Sequence, residues 1–315
     1  MDENKLEETN YNFEDEIDFV DIFLTLWKEK ILIITTTAVA SILIVLYSLS
    51  LPNIYISSAS LAPASNSNNQ MSNLSSQFSS LANIAGMSLP TSNEADKVTM
   101  GIEVMKSYDF FENLMSKNNL FFKLVAVDGW NPDDNSLDID PEVYDTKEKK
   151  WVSEARFAKN GKPSMQSMYK YFSEQFSVTK DKKTGFVSIS MRHYSPNIAK
   201  EFIDIIILEI NELARDEDIA IAKDTMLFLE EEVSKTQLNN VRLGINNLIQ
   251  KQVETMSIAN ATPQYLFKIL SKPVAPELKS EPKRAFICIL GFLFGLITSS
   301  LYVLINNYLY KKRAS

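Results

Sequence analysis

The two longest apolar runs of this chain lie near its ends. Residues 31–51 read ILIITTTAVASILIVLYSLSL and residues 285–305 read AFICILGFLFGLITSSLYVLI, and neither run contains a charged side chain. About 20 apolar residues cross a bilayer as a helix, which rises roughly 1.5 Å per residue. Both runs are therefore predicted to be transmembrane helices.

The first run is predicted to stay attached as an anchor. A cleavable signal peptide fits poorly, because the acidic lead-in is long and Ala38-Val39-Ala40 lies inside the apolar run. The two spans divide the chain into five parts. These are an N-terminal segment 1–30, the first span 31–51, a large loop 52–284, the second span 285–305 and a tail 306–315.

Basic residues predict which side of the membrane holds the two ends. They flank both spans on the side of the termini, at Lys28, Lys30, Lys311, Lys312 and Arg313. On the loop side no Lys or Arg occurs between Leu51 and Lys97. Because basic flanks stay inside, both termini are expected in the cytoplasm and the loop outside it. A contrary signal precedes the second span, at Lys279, Lys283 and Arg284.

The polarity pattern of the loop predicts an α+β domain. Asn53–Leu61 and Phe121–Val127 are rich in strand-forming residues. Residues 174–193 alternate around the turn Asp181–Gly185, as a β-hairpin does. Residues 65–80 are mostly Ser and Asn, so they are predicted to form a polar loop.

One long helix is predicted over about 196–261. Ser195 is a favourable N-cap, Pro196 suits the first turn, and apolar residues recur at helical spacing as far as Ala261. A continuous helix of this length would be a rod of about 100 Å. The alternative is two shorter helices, with a break near Arg215–Asp218 or at Gly244.

A helix of this length is not stable without a partner surface. Copies of the chain are therefore expected to associate through it. Leu227 and Leu238 are the candidate residues of this oligomer interface.

Two further groups of residues lie before and within the second span. Pro273, Pro276 and Pro282 are predicted to keep the chain extended and stiff where it enters the membrane. Gly291 and Gly295 lie four apart, on one face of the span, and would let another helix approach closely. The alternative is that these two glycines are a chance pair in an apolar segment.

Composition excludes several functional classes. A net charge of −8 argues against a nucleic-acid partner, and the single cysteine, Cys288, provides neither a disulfide nor a cysteine metal site. The acidic stretch Asp128 to Glu148 lacks the glycine and closing glutamate of a calcium loop and is predicted to be a solvated series of turns. The single histidine, His193, is expected on the surface. No catalytic residue, cofactor site or metal site is predicted.

Several segments together resemble the chain-length determinant (Wzz-type) polysaccharide co-polymerases, in their kinase-less branch. They extend over nearly the whole chain: Leu51-Pro52-Asn53-Ile54-Tyr55, Ser195-Pro196-Asn197-Ile198-Ala199-Lys200, Pro273-Val274-Ala275-Pro276-Glu277, Pro282-Lys283-Arg284 and the pair Gly291 and Gly295. The kinase-bearing branch is not expected, because the chain has no G-x-x-x-x-G-K-[ST] motif and only a short tail.

The resemblance implies a membrane protein with two transmembrane helices and an α+β periplasmic domain carrying a long extended helix. It implies a bacterial inner-membrane location, a ring of identical subunits and no catalytic residues. It further implies action beside a membrane polysaccharide polymerase, where such proteins set the modal length of O-antigen or a related lipid-linked glycan. Direct contact with that lipid-linked glycan is left open.

Other functions remain open on the residues alone. A two-span periplasmic sensor would need a larger cytoplasmic output segment, and an adaptor for a separate tyrosine kinase would need a longer tail than 306–315. A membrane-anchored glycan hydrolase would need two carboxylates positioned in a cleft.

Overall fold

The computed structural model describes residues 19–64, 94–118, 120–152, 157–159 and 162–314. The chain divides into two compact units, one of residues 1–51 with 282–315 and one of residues 52–281. The Ser- and Asn-rich loop predicted at 65–80 lies outside the described residues, as does most of the N-terminal segment.

Nine helices and ten strands make up the described part of the chain. The helices are α1 Phe19–Lys28, α2 Lys30–Ser50, α3 Glu94–Lys106, α4 Tyr108–Asn118, α5 Phe121–Val125, α6 Met165–Gln175, α7 Pro196–Lys235, α8 Asn239–Ala261 and α9 Arg284–Ala314. The strands are β1 Tyr55–Pro63, β2 Val127–Trp130, β3 Leu137–Ile139, β4 Tyr144–Asp145, β5 Lys150–Trp151, β6 Ala158–Lys159, β7 Lys162–Pro163, β8 Phe176–Lys180, β9 Val187–His193 and β10 Phe267–Ser271.

The first unit contains the two predicted spans. Helix α2 and the segment Arg284–Asn307 of α9 are each long and apolar enough to cross a membrane. They lie against each other, and the short helix α1 contacts α9, with the Asn307 amide donating to Thr25 Oγ1 at 3.0 Å. The expected pair of transmembrane helices is confirmed, whereas α1 was not predicted.

The second unit is built on a four-stranded antiparallel sheet with the order β10-β1-β9-β8. Strands β8 and β9 form the predicted hairpin, and Gly185 in its turn has φ 74°, a conformation that favours glycine. Alternate residues of β9 are buried, because one face of the sheet packs on the core and the other carries polar side chains. The predicted strand Phe121–Val127 is wrong: Phe121–Val125 is a helical turn whose Leu124 and Val125 enter the core.

Helix α7 begins in the core of this unit. Ser195 Oγ accepts a hydrogen bond from Ile198 N, and Pro196 occupies the first turn, as predicted. The first four turns cover β1 and β9 and bury an apolar stripe made of Ile198, Ala199, Phe202, Ile203, Ile206, Ile207 and Ile210. The predicted α+β class with a long helix is confirmed.

The long helix is shorter than predicted. It ends at Lys235 after 40 residues, or about 60 Å, and Thr236 and Leu238 have extended backbones before α8 begins at Asn239. Helix α8 then packs back against α7. The continuous helix over 196–261 is therefore wrong, and the break lies at neither of the two alternative positions.

The spacing of half-buried residues explains this helical hairpin. The less exposed apolar positions of α7 alternate by three and four, at Ile219, Ala222, Met226, Leu229 and Val233. The less exposed positions of α8 follow the same spacing, at the apolar residues Ile245, Ile249, Met256 and Ala259 and at the polar residue Gln252. This is the spacing of a coiled-coil seam, so each helix covers the seam of the other instead of exposing it to water.

Candidate functional site

Gly291 and Gly295 lie at the contact between the two apolar helices. A Cβ atom added at Gly291 would come within 2.2 Å of the Ile44 side chain, and one added at Gly295 within 3.1 Å of Ala40 Cβ. The two predicted glycines thus face α2 of the same chain. Their absent side chains let the helix axes approach, which is how helices associate in lipid.

The same face of α9 continues with buried Ser299 and Val303, at intervals of four residues. Ser299 Oγ and Thr37 Oγ1 are 3.2 Å apart and share a hydrogen bond between the two helices. Small residues and one polar pair therefore define a specific register for the two spans. Whether this contact matters for function stays a prediction.

The proline segment contains neither helix nor strand between β10 and α9, apart from one bridging residue. Pro273 is buried, while Pro276 and Pro282 are half-buried. Ser57 Oγ donates to the carbonyl of Val274 at 2.9 Å, which holds the start of the segment against β1. Glu281 pairs with Ile54 as an isolated bridge, and its carboxylate forms an ion pair with Arg192.

The helical hairpin exposes apolar side chains outside its seam. Leu227 on α7 is 54% exposed and Leu238, in the connection, is 69% exposed. Other large apolar side chains exposed on the two helices include Ile221, Phe228, Leu243 and Val253. Both predicted interface residues are therefore on an accessible apolar surface of the single chain, as an assembly contact requires. Their role in assembly stays a prediction.

A polar cluster lies where the hairpin leaves the sheet. The buried side chain of Asn211 on α7 accepts hydrogen bonds from Leu266 N and Phe267 N, both at 2.8 Å, and donates to the carbonyl of Ile207. Two turns further along α7, Asp218 Oδ2 accepts from Tyr265 Oη at 2.6 Å and from Lys97 Nζ at 2.7 Å.

This cluster connects residues 265–267, which follow α8, to helix α7. Burial, reinforced by the Asp218 carboxylate, raises the pKa of Tyr265, so its hydroxyl stays protonated and donates to Asp218. Neither the contacts of Asn211 nor that of Tyr265 with Asp218 was predicted from the sequence. Asn211 could have been noticed, because it continues the buried positions Ile203 and Ile207 at a spacing of four while being polar.

The junction of β9 and α7 contains His193, which is buried, contrary to the expected surface position. Its Nδ1 accepts from Ser195 N at 2.9 Å, so Nε2 carries the proton and donates to the carbonyl of Lys123 at 2.8 Å. Burial lowers the pKa of His193 to about 4. A neutral histidine satisfied by two backbone groups holds α5 against the start of α7 and has no free nitrogen for catalysis.

A second ion-pair cluster fixes the middle of α7. The Lys117 ammonium group lies 2.9 Å from carboxylate oxygens of both Glu209 and Glu212, and Asn118 also donates to Glu209. These two carboxylates raise the pKa of Lys117, chiefly through the hydrogen bond to Glu209. The buried carboxylate of Glu209 is thus compensated by a cation from α4.

The acidic stretch 128–148 contains the predicted turns, but it also contains β3, β4 and most of β2, so the prediction of a series of turns alone is wrong. Carboxylate or amide oxygens accept from the backbone N–H two residues further on, at Asn131, Asp134, Asp140 and Asp145. Within the ranges that the structure describes, no group of three acidic, His or Cys side chains could hold a metal ion.

One protein-family model matches part of the chain. Residues 15–118 match the family model named Wzz, the chain length determinant protein. No curated protein matches the chain. The chain is therefore membrane-anchored and resembles the chain length determinant family, and the resemblance inferred from the sequence is confirmed over the matched residues.

Two solved structures are also similar. A full-length bacterial polysaccharide co-polymerase is 14% identical, with 95% of this chain and 100% of that chain covered and a TM-score of 0.40. A fragment of WzzB, a polysaccharide co-polymerase from Salmonella Typhimurium, is 10% identical, with 73% and 100% covered and a TM-score of 0.30. Similarity at this level does not establish a common function.

Proposed function

We propose that this protein is a non-enzymatic regulator of the modal chain length of a lipid-linked surface polysaccharide, O-antigen or a related glycan. It acts as a ring of identical subunits beside the membrane polymerase that extends the glycan. Its α+β domain stands in the periplasm, and both termini lie in the cytoplasm of a bacterium with an inner membrane.

The match of residues 15–118 to the chain length determinant family is the observation that carries this proposal. The framing of one large domain by two apolar helices supports it, because a domain anchored at both ends is held at the membrane surface where the glycan is assembled. The exposed apolar side chains of the hairpin support the ring, since Leu227 and Leu238 would otherwise remain in water.

The function is tested by display of surface polysaccharide on a gel. The gene is expressed in a strain whose own chain-length determinant has been deleted, and the distribution of repeat numbers is compared with that of the empty strain. A new modal band, with total polysaccharide maintained, is expected. An unchanged random distribution, despite normal protein in the membrane, would contradict the proposal.

The orientation is tested by cysteine labelling of intact spheroplasts. Lys182 is exposed in the turn of the β8–β9 hairpin, so a Lys182→Cys protein in a Cys288→Ala background should react with a membrane-impermeant maleimide. A Ser315→Cys protein should react only after lysis. Labelling of position 315 from outside would show that the termini are not cytoplasmic.

A further inference from the structure

The segment that enters the second span carries a highly exposed leucine. Leu278 is 82% exposed, more than any other large apolar side chain among the residues that the structure describes. It lies at a bend between Pro276 and Lys279, which we call the Leu278 tip, residues 276–279. No strand or helix of the described ranges covers it, and a leucine held in water at a fixed bend loses the free energy that burial would supply.

The chain keeps the Leu278 tip close to the bilayer. Glu281 is paired with Ile54, with Ile54 N donating to the Glu281 carbonyl at 2.9 Å, and helix α9 begins three residues later at Arg284. The segment of α9 that could cross a membrane also begins at Arg284. Six residues separate positions 278 and 284, so the tip lies within about 20 Å of the start of the span even if the chain is extended.

The charges around the tip match those of a phospholipid surface. Lys279 and Lys283 are exposed, whereas Glu281 is engaged by Arg192. Only Glu277 opposes them as an exposed acid between Pro276 and Arg284. These lysines run against the charge bias of the loop side, and contact with lipid phosphates would account for them, because basic side chains near an anionic surface are attracted to it.

We propose that the Leu278 tip inserts Leu278 into the headgroup region of the bilayer beside the second span, with Lys279 and Lys283 against the lipid phosphates. The membrane contact of the domain is then larger than its two spans. The proline residues serve this contact, since a stiff segment can present a side chain at a fixed depth.

Depth-dependent quenching tests the insertion. Full-length protein with Cys288→Ala and Leu278→Cys is labelled with the environment-sensitive probe NBD and placed in nanodiscs of phosphatidylcholine and phosphatidylglycerol. Doxyl groups on lipid carbons 5 or 12 act as quenchers. Quenching is expected, and it should be stronger from carbon 5 than from carbon 12, because the tip lies near the headgroups.

Two control positions define the range of quenching to expect, one inside the bilayer and one away from it. Phe286→Cys on α9 is an exposed position inside the apolar span, and Leu243→Cys on α8 is an exposed apolar position on the hairpin. Quenching at position 278 no greater than at position 243 would overturn the proposal. Blue-shifted emission at position 278 without doxyl quenching would overturn it as well, since it would show that a neighbouring subunit, not lipid, covers the tip.

The lysines are tested in the same nanodiscs. Lys279→Gln with Lys283→Gln should reduce quenching of the probe at position 278 when phosphatidylglycerol is present. Unchanged quenching would overturn the electrostatic half of the proposal. If Leu278→Cys fails to assemble, the probe is moved to the adjacent exposed position with Glu277→Cys, and the same outcomes apply.

Discussion

Replacement of Asn211 by leucine tests whether the polar cluster at the base of the α7–α8 helical hairpin stabilises the attachment of residues 265–267 to α7. Leucine has the same number of non-hydrogen side-chain atoms in the same branched arrangement, so no cavity is left in the core. It cannot accept the hydrogen bonds of Leu266 N and Phe267 N, of which the second is fully buried and the first partly. A buried N–H left without an acceptor costs about 1–3 kcal/mol.

We therefore expect Asn211→Leu to lower the free energy of unfolding by about 2–4 kcal/mol, with the partly buried donor contributing the smaller share. For a domain of this size, 1 kcal/mol corresponds to roughly 2–4 °C in Tm, so a decrease of about 5–15 °C is expected. Thermal unfolding of the full-length protein in detergent, followed by near-UV circular dichroism, measures it.

The chain offers a matched control in Asn260. Its amide also donates to the carbonyl four residues earlier, at Met256, but its side chain is exposed on α8 and accepts no backbone N–H. Asn260→Leu should therefore change stability by no more than about 0.5 kcal/mol. Equal Tm values for the two variants would refute the reasoning, because they would show that the two orphaned donors find water or another acceptor at no cost.

Three further predictions concern the core, the hairpin and the spans. The pKa of His193 is lowered from 6.5 to about 4, so the neutral ring contributes stability that is fully present above pH 6.5. As the pH falls to about 4, the free energy of unfolding should decrease by about 3 kcal/mol from this group. Urea titrations at several pH values measure the decrease, and His193→Gln should abolish it. Leu227→Asp should convert the solubilised oligomer toward monomer in multi-angle light scattering, whereas Ser234→Asp, exposed on the same helix, should not; equal masses would contradict the hairpin interface. Gly291→Leu should preserve membrane insertion and abolish the modal polysaccharide length, with Phe292→Leu as the apolar control; wild-type lengths would show that the span contact is dispensable.

Periodicity predicted the elements whose partner is lipid or the local chain. The two spans, the β8–β9 hairpin and the N-cap at Ser195 could all be predicted from local sequence. The signals were, in turn, the length of the uncharged runs, the alternation of polar and apolar residues around a turn, and Ser-Pro ahead of an apolar run. The turns of the acidic stretch could be predicted as well, because their hydrogen bonds join residues only two apart.

Features that depend on distant partners were not predicted. The break at 236–238 contains no proline or glycine, and its cause is the complementary seam of α8, which periodicity alone also permits in a single rod. His193 was expected on the surface because its acceptor, the carbonyl of Lys123, lies 70 residues away along the chain and is brought to it only by folding. The role of Asn211 was not predicted for the same reason, since the two N–H groups that it accepts from lie more than fifty residues away.

The order of the sheet has a mechanical consequence. The strand that follows the first span, β1, and the strand that precedes the second, β10, are neighbours, and Ile54 pairs with Glu281 ahead of them. Paired residues on antiparallel strands have Cα atoms about 5 Å apart, so the domain is fastened at two points that nearly coincide. The two ends of this domain therefore leave it side by side, so a pull applied to both chain ends is carried by the paired strands β1 and β10 together.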